Sequence, residues 1–171
     1  MQQAGIIVNK VAQSGLITFD LETLLPDKKF KVLDMKDYMF QGLILREKDF
    51  RAFVKEHPWS QYQDQYLAIT CSTDAIVPTW AYMLLANRLE PYALEVIFGD
   101  LDRLKSVVLR KAIDQLDLSQ FEQAKMLIKG CSNERIPEDA YIYLTRKLSG
   151  VANSIMYGEA CSSVPIFKRK K

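Results

Sequence analysis

The sequence predicts an α/β fold built on a layered, largely parallel sheet, and two observations lead to that prediction. Two stretches of the chain follow the order strand, loop, helix, strand, and each closes on a glycine. Units of this length favour a right-handed crossover, which places their two strands side by side and parallel. The 171 residues are enough to bury one core, so we predict a single domain over residues 1–171.

Two strands are predicted in the first half of the chain. Residues 29–35, KFKVLDM, alternate apolar and polar side chains, as a strand with one buried face does. Residues 65–70, QYLAIT, are apolar and partly β-branched, which is typical of a buried strand. The second of these strands runs directly into Cys71.

Helices are predicted on either side of the chain's midpoint. Phe50, Phe53 and Val54 fall at three- and four-residue spacing within residues 45–57, which indicates an amphipathic helix. Pro58 ends that helix, because proline disfavours helical backbone in the residue before it. A further helical stretch is predicted within residues 100–124, where apolar residues again recur near helical spacing.

The second half of the chain contains a candidate internal repeat over residues 65–99 and 125–158. Residues 78–99 and 137–158 align without a gap over 22 positions, and seven are identical, where chance would give about one or two. The identities are Pro78/Pro137, Ala81/Ala140, Tyr82/Tyr141, Leu85/Leu144, Leu89/Leu148, Ala93/Ala152 and Gly99/Gly158. Convergence is the alternative, since any helix that packs one face on a sheet shows a similar apolar pattern. The matched proline, tyrosine and glycine favour duplication.

The three cysteines form the candidate site. Cys71 and Cys131 each follow a predicted strand and precede a helix, and ligands of parallel α/β sheets gather at that edge. The positive end of a helix dipole there lowers the pKa of a thiol. Cys161 comes three residues after Gly158, at the end of the last predicted strand. We therefore expect the three sulfur atoms to meet at one point.

Three thiolates in one place would bind a metal. Soft sulfur ligands favour zinc or an iron–sulfur cluster over magnesium or calcium. Three protein ligands leave one coordination position open, and alignment of the repeats offers Asp100 or Asp102 as a fourth ligand. The chain has no CxxC pair, so no zinc-finger or ferredoxin spacing supports this interpretation.

Other roles for the cysteines stay open. One thiol could be the nucleophile of a sulfur-handling or redox enzyme, with a second cysteine as its partner. Alternatively, all three could be inert and buried in a protein-interaction module, since cysteine often packs as a small apolar residue. His57, the single histidine, stands at a predicted helix end, where an imidazole usually caps carbonyl groups.

Composition and motifs exclude several classes of protein. A net charge of +2 lacks the basic surface of a nucleic-acid-binding protein, and residues 168–171 are expected to be a solvated basic tail. The sequence contains no signal peptide and no apolar stretch that could cross a membrane, so we expect a cytoplasmic protein with reduced thiols. The nucleotide-binding patterns GxGxxG and GxxxxGK[ST] are absent.

Several phrases of the sequence resemble one protein family: SGLITFDLE, FQGLILREKDFR, AITCSTDAIVPTWAYMLLA, IKGCS and SIMYGEACSSVPIFK. The likeness covers nearly the whole chain, and it is to an uncharacterised family of cytosolic proteins from Bacteroidetes-type bacteria, classified as a domain of unknown function. The resemblance implies no established activity. Because genes of this family often lie near the sulfur-mobilisation genes, it implies an accessory role alongside iron–sulfur assembly proteins.

Overall fold

The computed structural model describes residues 15–129, 133–159 and 161–170. These residues form two compact units, which we name by their place in the chain. The central unit is Pro26–Val108. The terminal unit consists of the described residues up to Leu25 together with those from Leu109 onward. Each unit has its own sheet and its own core, and the single domain predicted over 1–171 stays a prediction.

The described residues contain four α-helices and seven strands. In chain order the strands are β1 (Leu16–Phe19), β2 (Phe30–Asp34), β3 (Tyr66–Thr70), β4 (Glu95–Phe98), β5 (Lys125–Lys129), β6 (Ser154–Glu159) and β7 (Ser162–Lys168). The helices are α1 (Glu47–Glu56), α2 (Thr79–Leu89), α3 (Leu101–Asp114) and α4 (Glu138–Ser149). No helix within this part of the chain has the length and apolar character that a membrane crossing requires.

The central unit is a three-stranded parallel sheet in the order β2-β3-β4. Helix α2 packs on one face through Ala81, Leu85 and Leu89, which are fully buried and lie three and four residues apart. The central strand β3 is apolar on both faces, as a strand covered on both sides must be. Its other face carries Ala68, which packs against the first half of α3.

The terminal unit is a four-stranded sheet in the order β1-β5-β6-β7. Strands β1, β5 and β6 are parallel, whereas β7 folds back antiparallel to β6. Helix α4 buries Ala140, Leu144 and Leu148 against this sheet, at the same spacing that α2 uses in the central unit. Both helices begin directly after a proline, because that residue lacks the N–H that the first turn leaves unpaired.

The predicted fold class is confirmed: the protein is α/β with largely parallel sheets. The strand, loop, helix, strand order predicted for residues 65–99 and 125–158 is present in β3-α2-β4 and β5-α4-β6. The two matched glycines also share a geometry, with φ of +143° at Gly99 and +123° at Gly158. Descent from a duplication stays a prediction. Strand β7 was not predicted, because its short run of serine, proline and apolar residues carries no clear alternation.

Gly158 offers a test of this packing. A Cβ atom on that residue would lie 2.5 Å from the backbone oxygen of Ser162, and its φ of +123° is strained for any other residue. We expect Gly158→Ala to lower the free energy of unfolding by on the order of 1–3 kcal/mol. Gly15→Ala is the control, because φ is also positive there but no atom lies within 4 Å of the added Cβ. Equal losses in urea unfolding of the two variants would contradict the close packing at Gly158.

Candidate functional site

The two described cysteines of the predicted site belong to different units of the chain. Cys71 follows β3 in the central unit and is half-buried. Cys161 occupies the turn between β6 and β7 in the terminal unit and is exposed. Both are free thiols, and Cys131 lies outside the described residues. The expectation that three sulfur atoms meet therefore stays a prediction.

The corner around Cys71 is organised by the carboxylate of Asp34. Strand β2 ends at this residue, and its Oδ1 accepts the backbone N–H of Lys36 at 3.0 Å, which starts a short 3₁₀ turn. The same oxygen accepts the N–H of Ser72 at 3.1 Å. Because β2 and β3 are parallel with Asp34 opposite Thr70, the carboxylate lies beside the first residues after β3. Asp34 thus fixes the loop that carries Cys71.

The Cys71 thiol is held by the next residues of its own loop. Its Sγ lies 3.5 Å from the backbone oxygen of Thr73 and 3.5 Å from the Thr73 Oγ1. The Thr73 hydroxyl in turn donates to the backbone oxygen of Gly42 at 2.9 Å. This chain of contacts anchors the loop to the segment that follows β2.

The charged groups around Cys71 affect the pKa of Tyr82 on α2. Burial raises the pKa of Tyr82, and the negative charges that Cys71 and Asp34 can carry raise it further. The ring packs edge-on against Phe98 with 5.2 Å between the ring centroids. A phenol with a raised pKa stays protonated at neutral pH and keeps its capacity to donate a hydrogen bond.

The terminal unit has a charged cluster at the corresponding edge of its sheet. The Lys129 Nζ, at the end of β5, donates to Oδ2 of Asp20 at 2.9 Å, and Asp20 directly follows β1. This hydrogen bond raises the pKa of Lys129, and the carboxylates of Asp20, Glu159 and Glu22 add to the shift. Oε2 of Glu22 accepts the backbone N–H of Asn133 at 2.9 Å.

Glu159 is the unusual member of that cluster. It is the last residue of β6, and its Oε1 is buried without a hydrogen-bond partner among the described residues. A buried carboxylate oxygen without a partner is costly, so native proteins usually provide a donor or a cation for it. Glu159 lies two positions before Cys161 in the sequence.

The aspartates Asp20 and Asp34 are functional candidates that sequence reasoning missed. Asp20 directly follows β1 and Asp34 is the last residue of β2, and each side chain accepts the N–H two residues later to begin a 3₁₀ turn. The signal was present in TFDLETL and VLDMKDY, where an aspartate that can cap a turn stands at the end of an apolar stretch.

The proposed fourth ligands and His57 have structural partners of their own. Asp100 accepts the backbone N–H of Arg103 at 2.8 Å, as a cap of α3 does, and Asp102 lies in the first turn of that helix. His57 ends α1 as expected, but its Nε2 contacts the Tyr62 hydroxyl at 3.1 Å rather than capping a carbonyl. Within residues 15–129, 133–159 and 161–170, no three Cys, His, Asp or Glu side chains are grouped to hold a metal ion.

Asp34 predicts a pH dependence of stability. Burial acts to raise the pKa of this carboxyl, but the hydrogen bonds from Ser72 and Lys36 outweigh it and lower the pKa below its ordinary value of 3.8. A lowered folded-state pKa contributes stability above that value, and the contribution is lost as the pH falls through the folded pKa. We expect Asp34→Ala to lower the melting temperature at pH 7 and to have a progressively smaller effect below a pH of about 4. A melting-temperature difference that is constant between pH 7 and pH 2 would contradict this role.

The two described thiols are expected to differ in reactivity. Cys161 is exposed in its turn, whereas Cys71 is half-buried against Thr73. Access governs alkylation together with thiol pKa, so iodoacetamide should modify Cys161 faster than Cys71 at pH 7. Peptide mass spectrometry over a time course measures both rates, with the urea-unfolded protein as the reference in which the rates converge. Faster modification of Cys71 in the folded protein would contradict the burial described above.

A comparison with known families gives one match. The family described as "Protein of unknown function (DUF2480)" matches residues 5–169, which is nearly the whole chain. No curated protein and no solved structure matches the chain.

Proposed function

The chain belongs to the DUF2480 family, and we propose that it binds a metal ion or an iron–sulfur cluster through the thiolates of Cys71, Cys131 and Cys161. Thiolates select zinc or iron–sulfur chemistry, because soft sulfur ligands bind these centres better than they bind magnesium or calcium. The open position of a three-thiolate site is where a cluster would be transferred or a small molecule activated.

The pairing of β5 with β6 carries the proposal. Lys129 lies opposite Gly158 at the edge where both strands end. Cys131 follows Lys129 by two residues, and Cys161 follows Gly158 by three. Each cysteine therefore comes shortly after one of these two paired residues in the sequence. The proposal requires that these two segments bring the thiols of Cys131 and Cys161 within reach of one ion. The place of Cys71 as the third ligand rests on the sequence repeat alone.

Glu159 is a better candidate for the fourth ligand than Asp100 or Asp102. Its Oε1 is buried and has no hydrogen-bond partner among the described residues, whereas the Asp100 carboxylate caps α3. Carboxylate oxygen is an accepted zinc ligand and would gain a cation in place of the missing donor. The neighbouring charge of Lys129, which is paired with Asp20, would offset part of the negative charge of a thiolate centre.

The proposal also includes a location in the cell and a role there. We place the protein in the cytoplasm, where reduced thiols persist and bind metals. An accessory role with iron–sulfur assembly proteins as partners rests on the family resemblance and suits a site that can release a cluster. Cys161 is exposed, which supports a chemical role for it over simple packing, whereas Cys71 packs partly buried against the core of the central unit.

A thiol-based redox or sulfur-handling activity is the second candidate. The observation that favours it is the exposed thiol of Cys161, which is open to a reagent or a partner. This function predicts one thiol that reacts far faster than the others and no metal in the purified protein.

Metal analysis of anaerobically purified protein tests the leading proposal. We expect zinc or iron with a stoichiometry of about one centre per chain, and visible absorption if the centre is an iron–sulfur cluster. Cys131→Ser and Cys161→Ser should each abolish binding, because serine does not replace a thiolate ligand for soft metals. Glu159→Gln should weaken it. Ser163→Ala is the matched control, since this exposed serine on β7 leaves the cysteines intact.

Two outcomes would contradict all or part of the metal-binding proposal. A colourless, metal-free and folded protein, whose triple cysteine-to-serine variant has the same melting temperature, would rule out a metal centre. Retention of the metal in Cys71→Ser alone would remove Cys71 from the ligand set and leave a site confined to the terminal unit.

A further inference from the structure

Two described residues flank Cys131 in the sequence, and both are bonded to the turn that follows β1. Lys129 comes two residues before Cys131, and its Nζ donates to Oδ2 of Asp20 at 2.9 Å. Asn133 comes two residues after Cys131, and its backbone N–H donates to Oε2 of Glu22 at 2.9 Å. The two flanks of one short segment are therefore fixed to the same turn.

Asp20 connects these two contacts. While its Oδ2 pairs with Lys129, its Oδ1 accepts the backbone N–H of Glu22 at 3.0 Å and so begins the 3₁₀ turn Leu21–Leu24. Leu21, between the two acids, is fully buried in the core of the terminal unit. The carboxylate of Glu22 therefore extends from backbone that is both capped and packed, as a group that must hold another in place requires.

The central unit holds its own cysteine loop with an equivalent contact. Asp34 accepts the backbone N–H of Ser72 at 3.1 Å, and Ser72 directly follows Cys71. In both units the acid stands at the end of, or just after, the parallel strand that neighbours the strand preceding the cysteine: β2 beside β3, and β1 beside β5. The recurrence of this contact favours a role in placing the cysteine over a chance hydrogen bond at the surface.

We propose that Asp20 and Glu22 are positioning residues that hold the segment around Cys131 at the edge of the sheet where β5 ends. This role rests on the proposed function, because the position of the thiol matters most when it must share an ion with Cys161. A ligand segment that is already fixed loses less conformational entropy when the ion binds. Residues that orient the ligands of a metal centre typically change its affinity by about 10- to 100-fold.

Amide hydrogen exchange and zinc titration of the full chain, after a chelator has removed any metal, test this role. Glu22→Ala removes the acceptor of the Asn133 N–H, so we expect exchange of that amide to become about tenfold faster and zinc affinity to become about tenfold weaker. The amides of β5 should exchange as before, because the loss is local and does not act through unfolding of the sheet. Glu22→Gln keeps an acceptor oxygen and should retain most of the protection and of the affinity.

Glu122→Ala is the matched control, because it removes another glutamate of the terminal unit, one that is exposed directly after a 3₁₀ turn. It should leave the exchange of Asn133 and the zinc affinity unchanged. Unchanged Asn133 exchange in Glu22→Ala, zinc affinity equal to that of the unsubstituted protein, or equal effects of Glu22→Ala and Glu22→Gln would each overturn the proposal. If the unsubstituted protein binds neither zinc nor iron, the proposed function fails, and the Asn133 exchange rates alone decide whether Glu22 holds the segment.

Discussion

The parallel pairing of β5 with both of its neighbours is the constraint on which the candidate chemistry depends. Parallel strands end at one edge of the sheet, so Asp20 after β1, Lys129 at the end of β5 and Glu159 at the end of β6 are brought together there. Lys129 reaches Asp20 only because β5 lies next to β1, and Glu159 adds to the same electrostatic environment only because β6 lies on the other side. A shift of one residue in either register would turn every one of these side chains to the opposite face.

The parallel strands of the central unit also bring residues together where the strands end, but the contacts there are different. There the aspartate at the end of β2 binds backbone N–H groups instead of a lysine, and it stabilises the loop that carries Cys71. The last residue of β3, opposite Asp34, is the uncharged Thr70. The last residue of β5 is Lys129, whose charge can pair with a carboxylate. One architecture thus supports a hydrogen-bonded loop that carries a thiol in one unit and a lysine–carboxylate cluster in the other.

Sequence patterns predicted the helices and strands in which buried apolar residues recur at regular spacing. They missed the features that arise from contacts with residues distant in the sequence. The helix at Glu47–Glu56 and the strand at Tyr66–Thr70 were predictable, because apolar spacing directly reflects burial of one or both faces. Strand β7 was not, because it is held by β6 on one side and is almost entirely exposed. The cysteines were recognised from their type and context, but the carboxylate of Glu159 was not, since its burial arises from the tertiary fold. A missing hydrogen-bond partner has no signature in a single sequence.

X-ray absorption spectroscopy at the zinc or iron edge of the anaerobically purified protein directly measures which atoms surround the proposed metal centre. We predict about three sulfur neighbours at about 2.3 Å for zinc, with one lighter atom in the remaining position. An iron–sulfur cluster would add an iron neighbour to the sulfur shell. A first shell made only of oxygen and nitrogen, or a protein that holds no metal at all, would contradict it.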